Sequence, residues 1–298
     1  MKKRLPIIGI VLVLLAGIGV LSYPLISSVI NNFASRSQAE EYTKTVKLMP
    51  SEQSEKMIEE ARRYNASLSN NLIITDPFDQ DQYQKIGEEY EGVLNVDGAG
   101  LIGYVDIPCI NVYLPIYHGT DEHTLAKGAG HVQNTSLPVG GESTHSVISA
   151  HSAFPGETLF DYLTDMKEGN EFYVHILDRT LKYEVDQIKV ILPEETDDLR
   201  IIEGGDYVTL LTCTPYSINT HRLLVRGTRV EYDDSEYITT GASAISFQDY
   251  LYLLGYKIPY WAAGTFIGAV IVGIIVLIVV LRRKSRKKQA VDCTCPSR

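Results

Sequence analysis

The sequence predicts a mostly-β domain, an antiparallel barrel or sandwich, carried between two membrane-spanning helices. Three observations support this. From Leu101 onward the chain is a series of short apolar or alternating runs separated by turn residues. Few helical patterns interrupt those runs, which argues against a doubly wound sheet. Two apolar blocks, residues 5–26 and 261–281, flank the series near either end of the chain.

The first block follows the short tail 1–4 and has 22 residues without a charge. At 1.5 Å per residue it reaches roughly 33 Å, enough to cross a bilayer. The second block has 21 residues, with Thr265 its only clearly polar side chain. Lys2-Lys3-Arg4 precedes the first, and a basic tail, residues 282–298, follows the second. Basic flanks stay in the cytoplasm, so both termini are expected inside and everything between them outside. The first block is long for a signal peptide, and Ser22-Tyr23-Pro24 is a poor cleavage site, so it is read as a retained anchor.

Residues 27–70 are read as an extracellular helical region. Met57, Ile58, Ala61 and Tyr64 recur at roughly helical spacing, and Pro50-Ser51-Glu52 makes a plausible helix start. Residues 71–100 read as a connecting loop. LIGYVDI, VYLPIY, SVISA, EFYVHIL, LKYEVDQIKVIL, DYVTLLT and HRLLVRGTRV then read as strands of a domain at 101–232, with residues 157–163 the clearest helix among them. Residues 233–260 read as a juxtamembrane connector whose Tyr and Trp suit the interface.

Ten of the 27 basic residues and one of the 37 acidic ones lie in the two tails, which leaves the exported part near −19. Such a domain repels nucleic acid and anionic lipid, so neither is expected as a partner. Of the four cysteines, Cys293 and Cys295 fall on the cytoplasmic side; Cys109 and Cys213 face outward, either to pair or to leave a reactive thiol. No HExxH or CxxC pair, P-loop or GxSxG elbow occurs, so neither a metal nor a cofactor is expected.

Cys213 follows the apolar run DYVTLLT and precedes Thr214-Pro215, a placement that delivers its side chain to the rim of a sheet. A free thiol ionises near pH 8.5, so a nucleophilic Cys needs a base or a positive neighbour. If DYVTLLT and HRLLVRG pair as a hairpin, the chain returns His221 or Arg222 beside Cys213. Adjacent strand residues face opposite ways, and spacing alone leaves the choice open. His151 ends the run SVISA, the same strand-end placement.

TLLTCTPYSINTHRLLVRG resembles the signature of sortases, and its YSINTHRLLVRG continuation is characteristic of their class C, pilin-polymerising branch. IPCINVYLPIYHGT, AHSAFPGETLFDYL and FYVHILDRTLKYEVDQIKV resemble that branch too, so the likeness runs from about residue 72 to 232. The resemblance implies an eight-stranded sortase β-barrel and a catalytic set of His151, Cys213 and Arg222, favouring Arg222 over His221. It also implies a lid: Asp76-Pro77-Phe78 matches a D-P-W or D-P-F motif, with Asp76 pairing with Arg222 and Phe78 covering Cys213. Two positions depart from the pattern. His151-Ser152-Ala153 stands where the branch usually reads H-R-G, and Cys109 where it more often has a charged or polar residue.

The activity implied is cysteine transpeptidation. Cys213 attacks the Thr–Gly carbonyl of an LPxTG-like sorting signal, and a lysine amine of a pilin subunit accepts the acyl group. The partners implied are pilins and surface proteins bearing such signals, at the cell membrane of a Gram-positive bacterium. Three alternatives use the same sequence: a housekeeping sortase that transfers to cell-wall precursor, a cysteine hydrolase, and a non-catalytic pilus-anchor or adhesion protein.

Overall fold

The computed structural model describes residues 5–68, 73–81, 87–96, 98–154, 157–232, 250–253 and 256–259, with 264, 265, 268 and 273. The chain divides into two compact units, Ser27–Gln248 and the pair Met1–Ile26 with Asp249–Arg298. In the smaller unit two short strands, Tyr250–Leu253 and Tyr256–Pro259, pair antiparallel within what the sequence suggests is a plain connector.

Helix α1 is assigned to Leu5–Leu48, and α2 to Ser51–Ser67. In the larger unit both bury a stripe at the same spacing: Ser35, Ala39, Tyr42 and Val46 on α1, and Ser54, Ile58, Ala61 and Asn65 on α2. Steps of four, three and four residues keep one helical face inward. Polar contacts fix that face on the β-domain. The Tyr42 hydroxyl donates to the Ile102 carbonyl at 2.7 Å and accepts from the Leu177 N–H. The Asn65 amide bonds both backbone groups of Leu137. Among the described residues no helix is long and apolar enough to cross a membrane. Most side chains of residues 5–26, and nearly all of 261–281, lie outside the described ones.

The β-domain is a closed barrel of eight strands: β1 (Leu101–Ile107), β2 (Val112–His118), β3 (Ala129–His131), β4 (Thr144–Ser149), β5 (Glu171–Ile176), β6 (Arg179–Ile191), β7 (Asp206–Thr214) and β8 (His221–Val230). Their order around the barrel is β1-β2-β3-β4-β7-β8-β6-β5. Closure leaves the strands no free sheet edge around the ring.

Three expectations need correction. The barrel is not purely antiparallel, because β2–β3 and β4–β7 pair parallel. β3 follows β2 only after residues 119–128, and β5 and β6 lie between β4 and β7 in the chain, so no short-range pattern specifies either register. Residues 157–163 form no α-helix; a 3-10 turn, Leu163–Asp165, begins only at their last residue. The loop 71–100 contains a short helix α3 at Glu88–Gly92, and another, α4, lies at Glu122–Leu125, started by Asp121 accepting from the N–H groups of His123 and Thr124.

Candidate active site

Strands β7 and β8 form a hairpin whose register sets Cys213 opposite Arg222 and Thr214 opposite His221. Cross-strand partners share a face, so Arg222, not His221, stands beside the thiol. Cys213 is the penultimate residue of β7 rather than a residue beyond its end, and it is 5% exposed. Its side of the sheet is apolar: Leu211, Leu224, Ile191, Val147, Val132 and Leu199 form one buried cluster.

His151 arrives from the other side of β7. The parallel β4–β7 ladder ends at Ser149 opposite Leu211, and the chain then continues along β7 through three further bonds. The Ala150 N–H donates to the Leu211 carbonyl at 3.1 Å, and the Thr212 hydroxyl donates to the Ala150 carbonyl at 2.7 Å. The Ser152 hydroxyl then donates to the carbonyl of Cys213 itself, also at 2.7 Å. His151 is thus bracketed by contacts to Cys213 and the residue before it. Its ring stacks on Phe154, centroids 5.1 Å apart. Among the described residues no hydrogen bond joins the His151 ring to the thiol.

Residues 73–81 lie across this site. Asp76 accepts from Arg222 Nε at 2.8 Å and Nη2 at 2.6 Å, a bidentate pair whose side chains are each about a tenth exposed. Arg222 Nη1 donates to the carbonyls of Asn219 and His221, so every guanidinium nitrogen is engaged. The Phe78 ring sits 5.3 Å from the His151 ring and 5.2 Å from the Arg222 guanidinium carbon, and packs on the apolar cluster with Ile74. Pro77 between them is buried. Asn134 and Gln80 tether the two ends, donating respectively to the carbonyls of Ile73 and Thr120. All six residues singled out from sequence therefore meet in one place.

The electrostatics follow from burial. Burial pushes the Cys213 thiol up to about 11; the Asp76 charge adds to the rise and Arg222 opposes it. Burial also lowers the His151 imidazole, against a smaller opposing effect of Glu122. Both directions favour a thiol and a neutral imidazole in the buried site at neutral pH. Cys109 is a free, exposed thiol in the 3-10 turn after β1, and neither it nor Cys213 forms a disulfide. Among the described residues no group of His, Cys, Asp and Glu is arranged to hold a metal ion. Sequence reasoning missed Ser152; its only signal was the departure from H-R-G.

The family model for the sortase domain matches residues 105–230, which contain His151, Cys213 and Arg222. Among solved structures, Sortase C of Streptococcus pneumoniae is 46% identical, with a TM-score of 0.62, over 66% of this chain and 97% of that one. The chain belongs to the sortase family. Members of that family are cysteine transpeptidases. Sortase C-1 from Actinomyces oris is 47% identical (TM-score 0.57, 61% of this sortase and 99% of that chain). A pilus-related Sortase C of Group B Streptococcus is 42% identical (TM-score 0.60, 66% and 97%). Its structural neighbours are thus class C sortases. Curated relatives are more distant: Sortase D of Bacillus subtilis (strain 168) is 28% identical over 43% of this sortase and 63% of the relative. Sortase A of Streptococcus agalactiae is 27% identical and is covered over 51%. The chain spans less than two thirds of either.

Proposed function

We propose that this sortase joins pilin subunits by transpeptidation, with Cys213 as nucleophile. The observation that carries the reading is the register placing Arg222 opposite Cys213, with His151 held against the same strand. His151 takes the Cys213 proton as the sulfur attacks the Thr carbonyl of an LPxTG-like signal, and passes it to the departing Gly amine as the Thr–Gly bond breaks. The thioacyl enzyme is then attacked by a lysine amine, which yields its proton to His151, and the thiol is released. Arg222 donates to the oxyanion of each tetrahedral intermediate, the role of a preorganised donor at developing charge. A pilin as acceptor is supported by the likeness to a pilus-related Sortase C.

The 73–81 segment is the lid of this site. Its Asp76 takes up the guanidinium that the oxyanion needs, and its Phe78 occupies space between His151 and Arg222. Residues 5–26 and 261–281 anchor the enzyme in the membrane with the barrel outside and both termini inside. Their apolar runs and basic flanks support this.

The test is to incubate the full-length chain with an LPxTG-like peptide and a lysine-bearing acceptor. An amide-linked product that Cys213→Ala cannot form supports the reading. Release of the cleaved peptide alone would replace it with a hydrolase.

A further inference from the structure

Among the described residues from His151 to Asp161 there is no strand ladder, yet one buried carboxylate organises them. Asp161 is 6% exposed, and no cation pairs with it among the described residues. A carboxylate is kept in such a place only when hydrogen bonds replace its water. Asp161 Oδ1 accepts from the Ala153 N–H and Oδ2 from the Leu159 N–H, each at 3.0 Å. The Tyr216 hydroxyl donates to the same carboxylate. Ala153 belongs to the turn after His151, whereas Tyr216 lies three residues after Cys213 in the β7–β8 turn. The loop closes on itself as the Phe160 N–H donates to the His151 carbonyl at 3.0 Å. Ser152 supplies the second tie, from its hydroxyl to the Cys213 carbonyl.

We propose that Asp161, together with Ser152, is a positioning residue that holds His151 beside Cys213. The inference rests on the transpeptidase reading for the roles of those two residues. The donors decide why a carboxylate is used. The Ala153, Leu159 and Asp161 N–H groups and the Tyr216 hydroxyl converge there, and an Asn would offer one acceptor oxygen and turn an NH2 toward a donor. Burial raises Asp161 to about 6, against the opposing pull of these donors, so the group is mainly ionised at neutral pH and all its donors are satisfied. Ser152 stands where the branch usually has arginine, so this tie belongs to the departure and not to the shared motif.

The experiment uses the full-length chain labelled with 13C in the histidine rings, the His151 signal being assigned by its loss in His151→Gln. Asp161→Asn and Ser152→Ala should each lower kcat for peptide-to-amine transfer about 10- to 100-fold, the scale of a misplaced catalytic group. KM should stay within about twofold, since neither residue is asked to bind peptide, and Ser152→Thr should restore most of the rate. In Asp161→Asn the His151 titration should move up toward its ordinary value as the ring leaves its buried place. Folded variants with unchanged kcat and an unchanged His151 titration overturn the proposal. If Asp161→Asn does not fold, Ser152→Ala and its Thr rescue decide. If the wild-type chain makes no amide product, the functional reading falls. The His151 titration then decides the positioning alone, a higher midpoint supporting it and an unchanged one overturning it.

Discussion

Asp76 and Arg222, 146 positions apart in the chain, form a two-bond ion pair directly beside the Cys213 thiol. Second to burial, this pair bears on the resting chemistry of the site. A charge-assisted bidentate bond is among the stronger contacts a side chain makes, and here it engages the cation that would otherwise favour the thiolate. With the site buried and this pair intact the Cys213 thiol is held protonated, and removing Asp76 both takes away a negative charge and frees the cation.

Replacing Asp76 and Phe78 by Ala should therefore lower the Cys213 pKa from about 11. Burial is the larger cause of the rise and the Asp76 charge the smaller, and the double variant relieves both. Thiolate exists above the pKa, so the pH midpoint of alkylation by a small reagent should move down. The rate near pH 8 should rise by a factor of about ten for every pH unit that the midpoint falls. An unchanged midpoint and rate would mean that the segment does not govern the thiol.

Arg222→Lys tests geometry apart from charge. Lysine keeps the positive charge but lacks the planar fork that meets two oxygens. Losing a preorganised donor at the oxyanion costs roughly 10²–10³ in kcat. Peptide-to-amine transfer should fall by that order while the barrel keeps its circular dichroism. Retention of more than half the rate would remove Arg222 from the mechanism.

Three buried histidines should make the barrel acid-labile. Burial lowers His131 to about 3, and His145 and His175 to about 4. The unfolded chain takes up protons below about 6.5, whereas the folded chain resists until about 4 and 3. This stability is present in full above 6.5 and is lost as pH falls through the folded values, on the order of 3 kcal/mol per histidine. Asp161, raised to about 6, works in the opposite sense and offsets about one of them. Far-ultraviolet circular dichroism should show unfolding between about pH 5 and 3, and a barrel intact at pH 3 would contradict this balance.

Ala153 has φ +60°, the left-handed region, where the class C pattern usually places glycine. For a residue with a Cβ that conformation costs roughly 1–2 kcal/mol, and glycine returns part of this as unfolded-state entropy. Ala153→Gly should raise stability by about 0.5–1 kcal/mol, read as a higher thermal midpoint. A lower midpoint would show that the neighbours already accommodate the methyl group.

Much of this fold can be read along the chain. The runs LIGYVDI and HRLLVRGTRV coincide with β1 and β8 because their own residues state the strand. Ala129–His131 does not, since three residues carry no period and β3 exists only through pairing with β2 and β4. The helix expected at 157–163 gives way because Asp161 bonds backbone N–H groups that a helix would need otherwise. At the site, the motif residues were legible, and so was the choice between His221 and Arg222 once a family likeness was brought to it. The ties made by Ser152 and Asp161 were not. Their partners are the Cys213 carbonyl and the loop after His151, and only tertiary register brings these together.

The most direct test of the account is intact-mass spectrometry of the full-length Asp76→Ala, Phe78→Ala chain mixed with an LPxTG-like peptide and no amine. The account predicts a mass increase equal to the peptide up to its Thr, located on Cys213, reversed by hydroxylamine and absent from Cys213→Ala. Cleavage of the peptide with no adduct at Cys213, or an adduct that survives Cys213→Ala, would contradict it.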